Sequence, residues 1–518
     1  MFKPNEQTDT FIITLPLRTE RFQYEKLETD FRIACSVYNS LVKHYKKVLN
    51  QMFKTKEYRY WLNQRKVVSK IKAETDAEKE AKKQQRQYIN SKLKEIQIRF
   101  GLTAGQVEKR VKEMQYHFNK NVHSHIAQKL TTSLWKAISS VLYDNGKKIH
   151  FKRLSEFNSI EGKNNTTGIV FEDGYLYYGN RGKYKIPVVI DKNNPYELQA
   201  VTRRVKYCRI IRKWVRSKYK YYIQLVLEGL PPPKINKDTG EFKRSVAANE
   251  RVGIDIGTQT VAVVGNNKVM LNELADKVQK IERKLRLINR AMDRSRRATN
   301  PELFNEDGTI KRLPKGTKRK WVNSNRYNKL SAKRRELYRK QAAIRRMQHF
   351  ILANEILAMG NIIFVENMNF KALQKRAKET IINEKTGKYN SKKRFGKSLA
   401  NKAPAMFLTI LKQKAEASGG ALTKINTKKA KASQFNHLNL EYNKKKLSER
   451  WNLMPDGNKI QRDLYSAFLI KNINADLETF NIENCNKEYE NFIKLHDIEI
   501  ARLRGVKTPS STGVRKVA

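Results

Sequence analysis

A short apolar segment in the second half of the chain constrains the fold most strongly, because it places one carboxylate inside an expected strand. Residues 251–264 read RVGIDIGTQTVAVV, and Asp255 is the one acid in this run of Val, Ile and Gly. Such a run, rich in β-branched residues, predicts a buried strand. An Asp-x-Gly pair at a strand either forms a turn or helps to hold a metal ion.

Two further acids occupy special positions in predicted elements. Glu366 follows the buried-type strand NIIFV, and Asp463 opens a predicted helix in IQRDLYSAFLIKNI. Taken singly, Glu366 is explained by solvation or by an ion pair with a lysine, and Asp463 by helix N-capping. Taken in order, with helices between them, Asp255, Glu366 and Asp463 are candidates for one common site.

Three converging carboxylates suit phosphodiester chemistry. A phosphodiester is anionic, so protein carboxylates repel it unless a cation such as Mg²⁺ lies between them. Mg²⁺ prefers hard oxygen ligands and takes one or two carboxylates per ion. Two such ions about 4 Å apart activate the attacking water and stabilise the leaving oxygen.

The charge of the chain points to a polyanionic partner. Its 518 residues include 107 Lys and Arg against 50 Asp and Glu, a formal net charge of +57. An excess on this scale, spread over the whole length, favours nucleic acid over a membrane surface. No apolar run approaches the roughly 18 residues of a membrane span. Three cysteines far apart in sequence fit a reducing compartment.

The first half of the chain alternates between predicted strands and predicted helices. Residues 10–17 predict a strand, residues 23–142 predict long charged helices, and residues 149–230 predict strands again. Asp173-Gly174 between two apolar runs is typical of a hairpin. An opening strand, a helical insertion and a return to strands predict a β-barrel interrupted by a helical domain.

The segment after Asp255 predicts a helical hairpin. Apolar residues from Leu271 to Met292 recur at spacings of three and four, and residues from Leu330 to Ile351 repeat every seven. These patterns predict two paired antiparallel helices, with Gly360 as a C-cap. The fold class is therefore multidomain α+β, and the last ~45 residues look like a polar tail.

The order of the three acidic motifs resembles a known family. GIDIGTQTVAVV, IIFVENMNF and QRDLYSAFLIKNI resemble the split RuvC-like nuclease, of RNase H-like fold, in transposon-encoded TnpB proteins and in type V CRISPR effectors. The basic segment from 325 to 357 resembles the family's helix before the second acid. The first half is compatible with the family's wedge and recognition domains, and the resemblance covers roughly residues 10–475.

The resemblance implies an RNA-guided DNA endonuclease. Asp255, Glu366 and Asp463 would be its catalytic and metal-binding acids, holding two Mg²⁺ ions for which Mn²⁺ can substitute. Arg462 and Trp214 would be candidates for nucleic-acid contacts. The partners would be a guide RNA and a double-stranded DNA target carrying a short adjacent motif. We expect a monomer in a prokaryotic cytoplasm, associated with the nucleoid and not with a membrane.

One part of the chain departs from the family pattern. The family usually carries a zinc ribbon of two CxxC pairs between its second and third acids. Here the four cysteine positions are taken by Asn436, Asn439, Leu453 and Asp456, with His437 nearby. One Asp and one His cannot supply four zinc ligands, so we predict that no zinc binds.

Three alternatives remain open at this point. A type V CRISPR effector would use a crRNA in place of a transposon-derived RNA. An RNA-guided DNA binder would not cleave, and the retained acids argue against it. An RNase H-like transposase would need no RNA at all.

The resemblance and the composition together predict the following domain limits. They are a wedge β-barrel in two parts (1–22 and 148–230), a helical recognition domain (23–147), a linker (231–250), a RuvC-like nuclease in two parts (251–428, with a helical hairpin at 271–360, and 460–480), a degenerate target-nucleic-acid-binding subdomain (429–459) and a polar tail (481–518).

Overall fold

The chain forms two compact units in a computed structural model, residues 1–235 and residues 236–518. The division falls inside the segment for which a linker is predicted, and residues 233, 237 and 241–244 of that segment lie outside the described residues. The structure describes residues 9–71, 75–119, 121–143, 146–179, 182–216, 218–232, 234–236, 238–240, 245–314, 316–317, 319–377, 379–383, 387, 389–390, 395–446, 448–506 and 508–515.

The first unit combines long helices with two small sheets. Its strands are β1 (Thr10–Pro16), β2 (Ser159–Glu161), β3 (Gly168–Glu172), β4 (Tyr175–Gly179), β5 (Tyr184–Pro187), β6 (Val205–Val215) and β7 (Lys218–Glu228). Its helices are α1 (Arg21–Lys54), α2 (Lys56–Lys70), α3 (Asp76–Arg99), α4 (Ala104–His117), α5 (Ser124–Tyr143) and α6 (Pro195–Val201).

The sheets of the first unit bring distant parts of the sequence together. One sheet has the strand order β1-β7-β6-β2 and the other β3-β4-β5. β1 pairs antiparallel with β7, so that Phe11 lies opposite Leu227. In the sequence, the long helices come between these two strands. Side chains from both sheets and from α1 and α5 share one apolar core.

Two predictions for the first unit can be compared with the structure. The hairpin at Asp173-Gly174 is confirmed, because both residues have positive φ (48° and 78°) between the paired strands β3 and β4. The two sheets are bridged at Leu17 and Val188, whereas a closed barrel stays a prediction. The short helix α6 was not foreseen in the β-rich region.

The second unit is an α/β structure around one mixed sheet. Its strands are β8 (Arg251–Ile256), β9 (Thr260–Val264), β10 (Val269–Glu273), β11 (Ile362–Glu366), β12 (Ala421–Ile425), β13 (Phe435–Asn436), β14 (Glu441–Tyr442), β15 (Trp451–Leu453) and β16 (Lys459–Gln461). Its helices are α7 (Val278–Thr299), α8 (Asn325–Leu357), α9 (Phe370–Leu373), α10 (Gly396–Lys402), α11 (Pro404–Ala417), α12 (Thr427–Ala430), α13 (Arg462–Lys471) and α14 (Ile482–Arg504). The prediction of a multidomain chain that mixes helices and sheets is confirmed.

The central sheet of the second unit has the order β10-β9-β8-β11-β12. β8, β9 and β10 form an antiparallel meander, while β11 and β12 run parallel to β8. β9 is buried along its whole length, as expected for a strand covered on both faces. β8 therefore lies at the centre of the sheet, where its side chains are enclosed.

Helix α13 packs unusually close to β8, and Gly253 makes this approach feasible. A Cβ atom at Gly253 would lie 2.0 Å from the Ala467 carbonyl oxygen and 2.3 Å from the Lys471 nitrogen. The Arg251 Nε donates a hydrogen bond of 3.0 Å to the Lys471 carbonyl. The backbones of strand and helix thus nearly touch at a position where any side chain would separate them.

Two sequence predictions for the second unit are wrong. The hairpin does not begin at 271, because Leu271 belongs to β10, which pairs with β9, and α7 begins at Val278. The expected polar tail at 481–518 contains the 23-residue helix α14. Its residues Cys485, Phe492, Ile500 and Leu503 are buried against the core, which is the helical spacing that the polar composition concealed.

Gly360 also has a different role from the predicted one. Helix α8 ends at Leu357, with Ala358 as its C-cap. A Cβ atom at Gly360 would lie 2.4 Å from the Glu250 carbonyl oxygen. Gly360 therefore permits close packing beside the start of β8 and does not cap the helix.

Within the part of the chain that the structure describes, every helix is too short or too polar to pass through a lipid bilayer.

We predict that Gly253→Ala lowers the free energy of unfolding by about 1–3 kcal/mol or more, because the new methyl group forces α13 away from β8. Gly257→Ala is the matched control, since its Cβ would meet nothing closer than Thr260 at 3.6 Å. Urea-unfolding midpoints of both variants measure the difference. Equal midpoints would show that the helix–strand contact does not require glycine.

Candidate active site

The parallel pairing of β8 and β11 brings the first two acids together. Val365 lies opposite Ile254, so Glu366 and Asp255 follow at neighbouring positions on adjacent strands. Asp255 lies two residues after Gly253 and therefore on the same face of β8, the face that α13 covers. Asp255 and Glu366 are both half-buried. The sheet alone thus accounts for two of the three candidate residues.

The third acid comes from the first turn of α13. The N-cap of this helix is Gln461, whose side-chain oxygen accepts a hydrogen bond of 2.8 Å from the Leu464 N–H. The capping role considered for Asp463 therefore belongs to Gln461. Among the contacts of the described residues, the Asp463 carboxylate interacts with two arginines, and its side chain is 16% exposed.

Helix α14 and the segment after it hold the cap in place. The Gln461 N–H donates to His496 Nε2 at 3.0 Å, and the Gln461 side-chain nitrogen donates to the Thr512 carbonyl at 3.2 Å. His496 is buried. These residues were not predicted from the sequence, because they act on Asp463 through Gln461 and lie in the presumed tail.

The three carboxylates interact electrostatically. Burial raises the pKa of Asp255 well above its ordinary value, and the negative charges of Glu366 and Asp463 raise it further. Burial also raises the pKa of Glu366, with a second contribution from Asp463. Like charges in a poorly solvated place disfavour ionisation, so the cluster stores repulsion that a cation would relieve.

Two arginines lie beside the acids. Arg462 Nη2 is 3.5 Å and Arg450 Nη1 is 3.9 Å from the same oxygen of Asp463. Both arginines act to lower the pKa of Asp255, against the larger effect of burial. The buried Nε of Arg462 has no hydrogen-bond partner among the described residues. Arg462 was singled out from the sequence, whereas Arg450, just before β15, carries no local signal.

A cavity of about 140 Å³ opens between these elements. The residues lining it come from β8, β9, the loop between them, and three distant segments. They are Asp255, Gly257, Thr258, Gln259, Thr260, Ala262, Arg450, Asp463 and Ser511. The charge of Glu366 raises the pKa of Asp255, but Glu366 does not line this cavity. A small, polar, charged space of this kind suits an ion or a phosphate better than an apolar ligand.

The donor chemistry of the cluster fits a hard divalent cation, although the side chains are not gathered around one point. Within the described ranges, no group of three or more His, Cys, Asp or Glu side chains is arranged to hold a metal ion. Three carboxylates are nevertheless the oxygen ligands that Mg²⁺ prefers. Because the side chains are not arranged around one point, binding an ion would require these carboxylates to move closer together.

The segment with the missing zinc ligands is built around aromatic contacts. His437 is buried, and its Nδ1 lies 2.6 Å from the Tyr465 hydroxyl. Burial lowers the pKa of His437 to about 4. Leu453 is 78% exposed, and Asp456 accepts a hydrogen bond of 3.1 Å from the Asn458 N–H. His437 thus packs on α13 in an apolar environment.

Trp214 lies in the first unit. It is half-buried in β6, with its ring edge-on to Tyr219 at a centroid distance of 4.9 Å. The carboxylate cluster lies in the second unit, so Trp214 is not one of the residues that the sheet brings together. Its nucleic-acid contact stays a prediction.

Known proteins resemble this chain at the level of weak structural similarity. No protein-family model and no curated protein matches it. A chain of a cryo-EM structure of a Cas12f1–sgRNA–target DNA complex has a TM-score of 0.43 and 12% identity, covering 90% of this chain and 99% of that chain. A chain of a cryo-EM structure of a CRISPR-Cas12f ternary complex has a TM-score of 0.23 and 14% identity over the same shares. TM-scores this low carry no functional assignment, which has to come from the residues.

We predict that Asp255→Asn is more thermostable than the wild type without divalent cations at neutral pH, by on the order of a few degrees. The raised pKa of Asp255 means that its neutral form is favoured in the folded state. The protonated Asp255 carboxyl group contributes fully to the free energy of unfolding below the ordinary pKa of Asp. This contribution is lost as the pH rises through the raised pKa of the folded state. The advantage of the variant should therefore shrink as the pH falls.

Melting temperatures in EDTA across this pH range measure the effect. Glu490→Gln is the control, because Glu490 is 85% exposed in a surface ion pair. A neutral-pH melting temperature of Asp255→Asn at or below that of the wild type would contradict the stored repulsion.

We predict that the purified protein contains no stoichiometric zinc and that dialysis against a chelator leaves its melting temperature unchanged. Zinc in structural sites needs four ligands, and His437 already contacts Tyr465. Metal analysis by mass spectrometry tests this prediction. About one tightly bound equivalent of zinc per chain would overturn it.

Proposed function

We propose that this chain is an RNA-guided DNA endonuclease of the TnpB-like group. It binds a guide RNA, recognises a short motif beside the target, opens the duplex and cleaves DNA at the carboxylate cluster. Base pairing with the guide reads the target sequence, while the protein reads backbone shape and the short motif. The type V CRISPR effector that uses a crRNA shares every one of these steps and differs in the origin of the RNA.

The convergence of Asp255, Glu366 and Asp463 is the observation that carries this proposal. Separate elements, β8, β11 and α13, deliver three acids in a chain of net charge +57, where burial and the neighbouring carboxylates raise the pKa of Asp255 and of Glu366. Burying like charges together costs stability. A protein that only bound nucleic acid would gain nothing from this cost, which supports cleavage over binding alone.

Divalent cations complete the proposed site. Asp255, Glu366 and Asp463 are the residues that would hold two Mg²⁺ ions, or Mn²⁺ in their place. When bound, such ions supply a nucleophilic water and stabilise the leaving oxygen. The three acids would hold the ions, and the electrostatic repulsion among the carboxylates would favour the uptake of a cation.

The arginines of the cluster have a task of their own. Arg450 and Arg462 lie within 4 Å of the Asp463 oxygen, where they offset its charge. An arginine fork also matches the two oxygens of a phosphate group. We therefore assign Arg450 and Arg462 to holding the scissile phosphate beside the acids.

The test begins with the protein purified without nuclease treatment, so that any RNA bound in the cell is retained and sequenced. We expect one structured RNA with a variable segment, and Mg²⁺-dependent cleavage of DNA that matches this segment. Asp255→Ala should lose cleavage by at least about 10³-fold, while it retains the RNA. Glu490→Gln, on the exposed surface, should behave like the wild type.

The outcomes separate the alternatives. If the bound RNA is encoded beside transposon ends, the protein is a TnpB-like nuclease. If it is encoded in a repeat-spacer array, the protein is a CRISPR effector. Heterogeneous RNA, or none, with surviving strand-transfer activity would indicate a transposase. Unchanged cleavage by Asp255→Ala would refute the assignment of the site, and RNA-dependent DNA binding without cleavage by the wild type would refute the nuclease.

A further inference from the structure

Residues 508–514 fold back onto the elements that carry the candidate site. The Trp451 Nε1 donates a hydrogen bond of 3.0 Å to the Gly513 carbonyl, and Gln461 donates one to the Thr512 carbonyl. Gln461 is the residue that caps α13 directly before Arg462 and Asp463. This segment, named here the returning segment, is therefore anchored on both β15 and β16.

The returning segment is closely packed and internally bonded. Gly513 has φ +71°, and a Cβ atom there would lie 2.4 Å from the Arg450 Cβ. The Thr508 hydroxyl donates to the Val514 carbonyl at 2.7 Å, and the Thr512 hydroxyl donates to the Pro509 carbonyl at 2.8 Å. These contacts fix the position of Ser511, which lies between Thr508 and Thr512.

Ser511 occupies this place and faces the site. It lines the same cavity of about 140 Å³ as Asp255, Asp463 and Arg450. Its hydroxyl oxygen is buried and has no hydrogen-bond partner within the part of the chain that the structure describes. A buried hydroxyl without a partner is costly, and native structures retain few of them. A ligand in the cavity is the natural partner.

The chemistry of the cavity defines this ligand. Arg450 supplies a positive charge on one side of the cavity. The carboxylates repel an anionic ligand unless a cation lies between them and the ligand. A hydroxyl is a hydrogen-bond donor that can serve an anionic oxygen without charge of its own. These features suit a phosphodiester better than a neutral molecule.

We propose that Ser511 is a further substrate-binding residue, which donates a hydrogen bond to a non-bridging oxygen of the scissile phosphate. This inference rests on the proposed nuclease function and adds to it a contact from the returning segment, whose composition gave no sign of a site. The bond does not involve transfer of a proton, so the reaction itself is unchanged.

The decisive experiment compares Ser511→Thr with Ser511→Val, two residues of nearly the same shape of which only one has a hydroxyl. Ser511→Ala measures the loss of the hydroxyl without added volume. Ser510→Ala is the matched control, because Ser510 is the exposed neighbour. Each variant is purified with its bound RNA, and single-turnover cleavage rates and DNA affinities are measured with Mg²⁺.

We expect Ser511→Ala to cleave roughly 10- to 100-fold more slowly than the wild type, the range for a lost hydrogen bond to a charged group. Ser511→Thr should cleave faster than Ser511→Val by a similar factor, while DNA affinity and melting temperature stay close within the pair. Ser510→Ala should match the wild type.

Two results would overturn the inference, namely full activity of Ser511→Ala or equal rates for the Thr and Val variants. A water molecule that merely fills the cavity would give the first result, and a steric role of the segment would give the second. Neither result touches the proposed function, which fails separately if Asp255→Ala still cleaves or if the wild type does not.

Discussion

The near contact between the backbones of β8 and α13 at Gly253 governs the second unit. Asp255 follows Gly253 on the same face of the strand, and Asp463 stands in the first turn of the helix that covers this face. A side chain at position 253 would separate them by the thickness of a methyl group or more. The distance between two acids is therefore set by the absence of a side chain at a third position, through packing that tolerates little change.

The stability of this unit and its proposed chemistry pull in opposite directions. The acids repel one another where water screens them poorly, and Arg450 and Arg462 offset part of that repulsion at Asp463. Burial of apolar side chains in the surrounding sheet, whose strand β9 is wholly buried, stabilises the fold enough to offset the repulsion among the acids. Strained or repulsive groups persist where the rest of the structure determines their position.

Strands β8 and β11 could be predicted from the sequence because their signals are local. Asp255 and Glu366 stand out because each interrupts or ends an apolar run, and a parallel pairing then brings them together. Positions that depend on contacts between distant segments could not be predicted. The position of Leu271 in the sequence fits the apolar face of a helix, and only its pairing with β9 shows that it belongs to a strand. Ser511 reaches the cavity only because Gly513 and Thr512 form hydrogen bonds with β15 and β16. Helix α14 was missed for another reason, since its charged face outweighed its apolar stripe in a reading by composition.

The returning segment sets the order in which the cavity is completed during synthesis. During synthesis, Asp255 leaves the ribosome early and Ser511 leaves it more than ten seconds later, at the roughly 5–20 residues per second of translation. Until then Gln461 lacks the Thr512 carbonyl, and the cavity lacks one wall. In the proposed nuclease, a nascent chain could therefore bind RNA before its cleavage site is complete. An unfinished product of interrupted translation would then bind nucleic acid without cleaving it.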